Sequence, residues 1–419
     1  MKSFISFIFK VFIFFQGTVI LYGQNGCWTS KTNMSIPRGV MPAVVLNDTI
    51  YVIGGSTGAN GSTSYVEAYD TTTNNWTYKA NLPQPLCGTC GCAVNNKIYI
   101  IGGASDVYGT GVVDRVYEYT PASDSWTRKS NLPTPLYFAA AETVNGKIYV
   151  IGGAPTGFNS SYNSVYEYNP VTDTWATKSN MPTARSLASA TAVEGKIYVF
   201  GGAAKLNGSG FSVVEVYDPS VDMWSGRNTM PVPRCAHASS AVDGKIYIFS
   251  GGLRMGTVYN DVREYNPALD TWVTKTNIPT PRVGPAACSV GRKIYAIGGM
   301  DSSNIRLPTV EEYDPALDLT DVKDQENQID ILEEYNLYQN YPNPFNPSTK
   351  IKYSVPHSSN VTIKVFDILG NEIETLVNEE KTTGSYEVKF DVTSLQSGVY
   401  FYQLKAGSFI ETKKMILLK

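Results

Sequence analysis

Residues 147–153 read KIYVIGG, and residues 196–202 read KIYVFGG. Each stretch combines alternating apolar residues with a closing glycine pair, which is typical of a short strand that ends in a tight turn. Such pairs recur along the chain at Gly54-Gly55, Gly102-Gly103, Gly152-Gly153, Gly201-Gly202, Gly251-Gly252 and Gly298-Gly299. A fixed period of about 50 residues indicates a propeller or a solenoid.

Each repeat divides into four strands. An apolar first strand leads through a turn such as Asn145-Gly146 into the strand that ends in the glycine pair. A third strand ends in tyrosine, and a turn rich in Pro and Asp precedes a fourth strand that contains tryptophan. The six tryptophans of the protein share one position of the repeat: Trp28, Trp76, Trp126, Trp175, Trp224 and Trp272. These glycine and aromatic residues shape turns and fill space between sheets, and none is a reactive group.

The last repeat lacks its tryptophan, because Thr320 stands at that position. Residues 27–34 (CWTSKTNM) supply a tryptophan strand that no blade precedes. Because an open sheet edge has unpaired backbone groups that promote aggregation, we predict that the strand containing Trp28 completes the last sheet and closes a ring.

The glycine pair, the tyrosine about a dozen residues later and the tryptophan about seven residues beyond it resemble the kelch repeat. The resemblance covers residues 27 to 318 and implies an all-β fold, a six-bladed kelch β-propeller. An open solenoid of the same repeats is the alternative.

The two ends of the chain read as export signals. Residues 1–23 look like a secretory signal peptide, with an uncleaved anchor helix or a lipoprotein signal at Cys27 as alternatives. We place the propeller at 24–318 and an acidic linker at 319–335.

Residues 336–419 contain QNYPNPFNPST, FDILG, SGVYFY and a basic, apolar tail. These phrases resemble the C-terminal sorting domain of proteins exported by type IX secretion. The resemblance implies a small, Ig-like β-sandwich, the secretion machinery as a partner, and a secreted or outer-membrane cell-surface location. A carbohydrate-binding or adhesive sandwich is the alternative.

Composition excludes several functions. A net charge of -3 provides no field for nucleic acid. The two histidines, His237 and His357, are too few for a multi-histidine metal site such as a galactose-oxidase-like copper centre. Cys87, Cys90 and Cys92 form C-x-x-C-x-C, but they fall at first-strand positions. We therefore predict buried thiols or a disulfide of undetermined pairing, with no metal and no cofactor.

One position, ten residues after each tryptophan, is Arg38, Leu86, Leu136, Arg185, Arg234 and Arg282. In kelch propellers this place lies near the mouth of the central channel. Four arginines at one opening would bind carboxylates through their planar guanidinium groups. The alternative is that each arginine pairs inside the protein with a glutamate or a backbone carbonyl. His237 is a secondary candidate for the site.

The sequence supports two alternative functions. The first is non-catalytic recognition of an extracellular glycan or protein by a monomeric propeller, through the variable loops on one face. The second is an enzyme that resembles the kelch-type sialic acid epimerases, with an arginine holding the substrate carboxylate and a glutamate or His237 moving protons.

Overall fold

A computed structural model describes residues 27–58, 61–157, 159–205, 208–253, 257–318, 335–340, 342–392 and 395–418. The chain divides into two compact units, one ending at Asp318 and the other beginning at Leu319. The predicted signal peptide lies outside the described residues, as does the predicted linker apart from Tyr335. No helix in the described ranges has the length and apolarity needed to cross a bilayer.

The first unit consists of six antiparallel sheets of four strands. The chain enters through β1 (Trp28–Lys31), which belongs to the sixth sheet. The first sheet contains β2 (Ala43–Leu46), β3 (Thr49–Ile53), β6 (Val66–Asp70) and β7 (Asn75–Lys79), with the small hairpin β4 (Ser56–Gly58) and β5 (Gly61–Ser62) between its middle strands. The second contains β8 (Cys90–Val94), β9 (Lys97–Ile101), β10 (Val116–Thr120) and β11 (Ser125–Lys129). The third contains β12 (Ala140–Val144), β13 (Lys147–Ile151), β14 (Val165–Asn169) and β15 (Thr174–Lys178).

The remaining sheets repeat this order. The fourth contains β16 (Ser189–Val193), β17 (Lys196–Phe200), β18 (Val214–Asp218) and β19 (Met223–Arg227). The fifth contains β20 (Ala238–Val242), β21 (Lys245–Phe249), β22 (Val262–Asn266) and β23 (Thr271–Lys275). The sixth joins β24 (Ala286–Val290), β25 (Lys293–Ile297) and β26 (Val310–Tyr313) to β1. Short 3-10 turns occupy Pro121–Ser123 and Pro315–Leu317.

The first and last parts of this unit meet in the sixth sheet. Trp28 pairs with Tyr313, and Lys31 pairs with Val310, so β1 is the outermost strand of that sheet. The Trp28 ring lies 4.8 Å from the Tyr313 ring, and its Nε1 donates at 3.0 Å to the carbonyl of Thr276, the residue that follows β23 of the fifth sheet. This is the closure that the unmatched tryptophan predicts.

The tyrosine, tryptophan and turn residue of each repeat form one contact between neighbouring blades. In the second blade, Tyr119 donates to the Asp124 carboxylate at 2.6 Å, and the same carboxylate accepts from the Ala80 N–H of the first blade at 2.8 Å. The Trp126 ring packs against Tyr119 with ring centres 4.9 Å apart, and its Nε1 donates to the Ala80 carbonyl at 2.8 Å. The repeated aromatic and turn residues therefore join each sheet to the one before it.

The fifth glycine pair needs a correction. Gly251 donates to the Arg282 carbonyl at 3.0 Å, as Gly55 does to the Leu86 carbonyl at 2.8 Å. The structural pair is thus Ser250-Gly251, with Ser250 at φ 58, and not Gly251-Gly252. In the other blades, a Cβ on the first glycine would lie 2.3–2.6 Å from a carbonyl oxygen of the next blade. Because Ser250, Gly251 and Gly252 are three small residues in succession, the sequence does not show which two of them form the pair.

The second unit is a β-sandwich. One sheet contains β27 (Asn336–Leu337), β28 (Ser348–Val355) and β31 (Gly384–Asp391), and the other has the order β30 (Glu372–Lys381), β29 (Ser359–Phe366), β32 (Gly398–Ala406) and β33 (Phe409–Leu417). Alternating residues of both sheets form the core, including Ile351, Ile363, Tyr402, Leu404 and Met415, each at most 2% exposed.

Candidate functional site

The first strands of the six blades surround a central channel. Contacts run from β2 to β8, β12, β16, β20 and β24 in turn, and β24 contacts β2 again. A cavity of about 370 Å³ lies among these strands. Because β25 and its counterparts run from one face of the ring to the other, the two-residue turns open on one face and the loops after the glycine pairs open on the opposite face.

A closed ring of backbone hydrogen bonds forms a neck on the face with the longer loops. The N–H of each member donates to the carbonyl of the preceding blade's member at 2.7–3.1 Å: Val40, Gly88, Phe138, Leu187, Ala236 and Gly284. All six residues have a positive φ, between 49 and 62. This conformation points each N–H along the ring toward the neighbouring carbonyl, and the closed set of hydrogen bonds makes the neck rigid. Its rim is apolar because all six residues are apolar or glycine.

The four predicted arginines lie inside the blades. Arg38 donates to a Glu67 carboxylate oxygen at 2.6 Å and to the carbonyls of Tyr65 at 2.7 Å and Gly54 at 3.1 Å. Its own carbonyl accepts from the Gly299 N–H of the preceding blade at 3.0 Å. The other three also form internal ion pairs: Arg185 with Glu215, Arg282 with Glu311, and Arg234 with Asp261, which precedes β22 instead of standing on it. Each arginine thus ties two neighbouring blades together.

These contacts contradict the predicted ligand site on Arg38, Arg185, Arg234 and Arg282. All four side chains are 0% exposed. Burial lowers the pKa of Arg185 to about 10, which leaves the group charged at neutral pH. A guanidinium that is fully buried and already paired with a carboxylate has neither an accessible face nor an unmatched charge for a ligand. The internal pairing considered as the alternative is the arrangement that the structure has.

His237 lies next to the neck, but its chemistry is that of a neutral core residue. Its Nε2 and the Ser189 hydroxyl share a hydrogen bond of 2.9 Å, and within the described residues its Nδ1 has no partner. Burial, with the nearby charges of Arg234 and Arg185, lowers the pKa of His237 to about 3. An imidazole with such a low pKa is a poor base at neutral pH, and no carboxylate of the described residues forms a hydrogen bond with it.

The six cysteines are buried free thiols. Burial raises the pKa of Cys87, Cys90 and Cys288 to about 12, which makes them weak nucleophiles. Over the described residues, no group of three or more His, Cys, Asp or Glu side chains is placed to hold a metal ion.

The channel contains a carboxylate that the repeat did not single out. Glu142 projects from β12 and is the only carboxylate among the described residues that line the 370 Å³ cavity. Burial raises the pKa of Glu142 to about 8, although the N–H groups of Ala192 and Thr143 act in the opposite direction. Thr191 of the fourth blade and Ser239 and Ser240 of the fifth also line the cavity, whereas the first two blades present Val44, Val45 and Ala93.

A fifth arginine, missed in the sequence, lies on the loop face. Arg306 follows the last glycine pair, and the residue is 7% exposed. It donates to the Ser56 hydroxyl at 2.9 Å and to the carbonyls of Gly58 at 2.8 Å and Asn304 at 2.7 Å. None of these partners is a carboxylate, and Nε makes no hydrogen bond among the described residues. Arg306 therefore differs from the four paired arginines in having no counter-charge in the part of the chain that the structure describes.

Arg306 reaches across blades toward the neck. It belongs to the sixth blade and contacts β4 of the first. Burial lowers the pKa of Arg306, whereas the nearby Tyr108 and Cys87 of the second blade raise it. Cys87 directly precedes Gly88 of the neck, and Tyr108 is 53% exposed. The only sequence signal was an arginine in a loop of varying length, outside the phase of the repeat.

Comparison with known proteins agrees with this architecture. The sequence matches the family described as Attractin/LZTR1 beta-propeller over residues 24–251 and the Kelch motif over residues 233–278 and 281–318. Residues 339–418 match the Secretion system C-terminal sorting domain. A solved structure titled "Structure of YjhT" superposes with a TM-score of 0.58 at 17% identity, covering 66% of this chain and 94% of that chain. No curated protein matches the sequence.

The molecule is a six-bladed kelch β-propeller followed by a secretion sorting domain. The chain belongs to the Attractin/LZTR1 β-propeller family, whose match spans more than half of its length. The sorting domain marks it for type IX export to the cell surface or the extracellular space.

Proposed function

We propose that the propeller is a non-catalytic recognition module that binds an acidic glycan outside the cell, on the loop face beside the neck. The observation that carries this proposal is Arg306, a buried cation whose hydrogen-bond partners are all neutral. A buried charge without a counter-charge is costly, and a ligand carboxylate would supply that counter-charge.

The loop face that carries Arg306 also presents aromatic side chains that suit a sugar ring, and Tyr108 is close to Arg306. Tyr108 and Tyr65 are 53% and 44% exposed on loops that follow glycine pairs, and Phe138 of the neck is half-buried. Aromatic side chains offer flat apolar faces with little loss of conformational freedom, and the loops are rich in Gly, Ser and Asn. The neck and the blades provide a rigid frame for these loops.

Two of the three groups named for the enzymatic alternative are unsuited to it, and the third, a glutamate, is present as Glu142 in a channel whose described lining contains no arginine. The four repeat-phase arginines are used in internal ion pairs, and His237 has a pKa of about 3. These observations favour binding over proton transfer.

The purified full-length protein should be applied to an array of acidic glycans, neutral glycans and peptides. We expect binding to carboxylated glycans, weakened about tenfold to a hundredfold in Arg306→Gln, since a charged hydrogen bond contributes ~1.5–3 kcal/mol. Tyr108→Ala should weaken binding of the same glycans. The matched control is Arg292→Gln, because Arg292 is 74% exposed in its side chain and lies at the opposite end of β25.

Binding that is unchanged in Arg306→Gln, or that is lost in Arg292→Gln, would overturn the proposed location. Binding of peptides alone would overturn the ligand class. Mutarotation of free sialic acid that disappears in Arg306→Gln would favour the enzyme instead.

A further inference from the structure

Distant stretches of the sorting domain meet at one end of its four-stranded sheet. Phe366, at the end of β29, pairs with Phe401 of β32, which in turn pairs with Lys414 of β33. The turn after Phe366 therefore lies level with the start of β32 and the end of β33, where Gly398 pairs with Leu417. The FDILG and SGVYFY phrases and the C-terminal tail share this end.

The proline-rich phrase joins them there. Phe345 donates its N–H to the Ile416 carbonyl at 2.9 Å and accepts from the Leu418 N–H at 3.0 Å. The Asn343 side chain accepts from the Ile416 N–H at 2.9 Å. All four phrases that identify the domain thus converge on one end of the sandwich.

This end exposes aliphatic side chains that the core does not use. Ile368 is 72% exposed, Leu369 83%, and Leu418 53%. The core consists of other residues, so stability of the fold does not account for two large apolar residues at the tip of a turn. We call Ile368, Leu369 and Leu418 the apolar end.

The turn that presents the apolar end is held in one shape. The Asp367 carboxylate accepts from the N–H groups of Leu369 at 2.8 Å and Asn371 at 2.9 Å, and from the Asn371 side chain at 2.8 Å. Gly370 supplies the positive φ of 85 that the turn requires. A preordered turn loses little conformational entropy when a partner covers it.

We propose that the apolar end is the surface by which the secretion machinery recognises this domain, docking into an apolar groove of a machinery protein. The family match over residues 339–418 assigns the domain to sorting. A recognised surface must differ from the generic exterior of a β-sandwich. The convergence of four separate phrases on exposed aliphatic side chains provides that difference.

The test uses the full-length protein in a host with type IX secretion. We expect Ile368→Ser/Leu369→Ser to lower the exported fraction at least fivefold, with accumulation in the periplasm. Leu418→Ser, from a different strand of the same end, should also lower export. The matched control is Ile410→Ser, because Ile410 is 56% exposed at the start of β33, at the other end of the sheet.

Thermal melting of each purified variant separates recognition from folding, and the double variant should melt like the parent. If the double variant melts lower, Leu418→Ser decides the question. Normal export of a stably folded apolar-end variant would refute the proposal, and so would an equal export defect in Ile410→Ser. Loss of sedimentation with outer-membrane lipid vesicles in place of lost export would assign the apolar end to lipid.

Discussion

At the scale of single residues, one interior position of the propeller has two different solutions in five of its six blades. In the fifth blade Arg263 stands at the register position, and Asp261 pairs with both Arg234 and Arg263. Arg185 faces Glu215 on the third strand of its blade, whereas Leu136 lies in the same core cluster as Tyr166, which stands at the equivalent register position. Arg38 with Glu67 repeats the first solution, and Leu86 with Tyr117 the second. Charge is matched by charge, and an apolar residue by an aromatic one.

We therefore expect Arg185→Leu to lower the free energy of unfolding by about 3–5 kcal/mol, because it leaves Glu215 buried without a partner. The double variant Arg185→Leu/Glu215→Tyr introduces the leucine and tyrosine pair of the second and third blades. It should recover more than half of the lost free energy of unfolding. Urea denaturation of the purified protein measures both.

A single variant as stable as the parent would show that the ion pair contributes nothing. A double variant no better than the single one would show that the two solutions depend on their own blades.

At the scale of the element, the turn between the third and fourth strands connects neighbouring blades. Its acidic residue adopts a positive φ, for example 46 at Asp124 and 54 at Asp222. Asn74 fills the position in the first blade, accepting from the Tyr69 hydroxyl at 2.6 Å and the Thr32 N–H at 2.9 Å. The turn thus needs a short side-chain acceptor that tolerates the left-handed conformation, with or without charge.

Asp124→Ala should lower stability by about 1–3 kcal/mol, because it removes the acceptor for Tyr119 and Ala80 and places alanine at positive φ. Asp124→Asn should cost less than about 1 kcal/mol, since Asn74 shows that an amide fits. Melting temperatures at neutral pH distinguish the two. Equal losses in both variants would contradict this role of the turn.

Acid should erase the difference between the parent and Asp124→Asn. The hydrogen bond from Tyr119 and the one from the Ala80 N–H hold the pKa of Asp124 below its usual 3.8. A carboxylate with a lowered pKa stabilises the fold above about pH 4 and loses this contribution as the pH falls through its folded pKa. A melting-temperature gap that stays constant down to pH 2 would argue against a charged partner for Tyr119.

At the scale of the whole molecule, the ring is closed by one short strand far from its partners in sequence. Trp28 and Trp126 make equivalent contacts, each with a tyrosine at 4.8–4.9 Å and with a carbonyl of the preceding blade. Only Trp28, however, holds a strand that its blade does not receive from the adjacent sequence.

Trp28→Ala and Trp126→Ala should each cost about 3–5 kcal/mol in local packing. Trp28→Ala should in addition release β1 and speed hydrogen exchange of the β26 amides, whereas Trp126→Ala should leave those amides protected. Exchange measured by mass spectrometry on the two variants provides the comparison. Slow β26 exchange in Trp28→Ala would mean that the ring closes without this side chain.

The number of blades, the strand that completes the sixth and the separate sorting domain follow from the sequence, because the repeat is periodic and each unit folds on local turns. The positions of the charged side chains do not follow from it. Repeat phase places Arg38, Arg185, Arg234 and Arg282 on equivalent sites, but only the packed blades show that their side chains turn inward to carboxylates.

The tertiary structure alone brings Arg306 over β4 of the first blade and draws the four sorting phrases to one end of a sandwich. The physical reason is common to these cases. Period and alternation determine which residues share a strand face, whereas contacts between residues far apart in sequence depend on how closed sheets pack, and the periodic pattern contains no record of that packing.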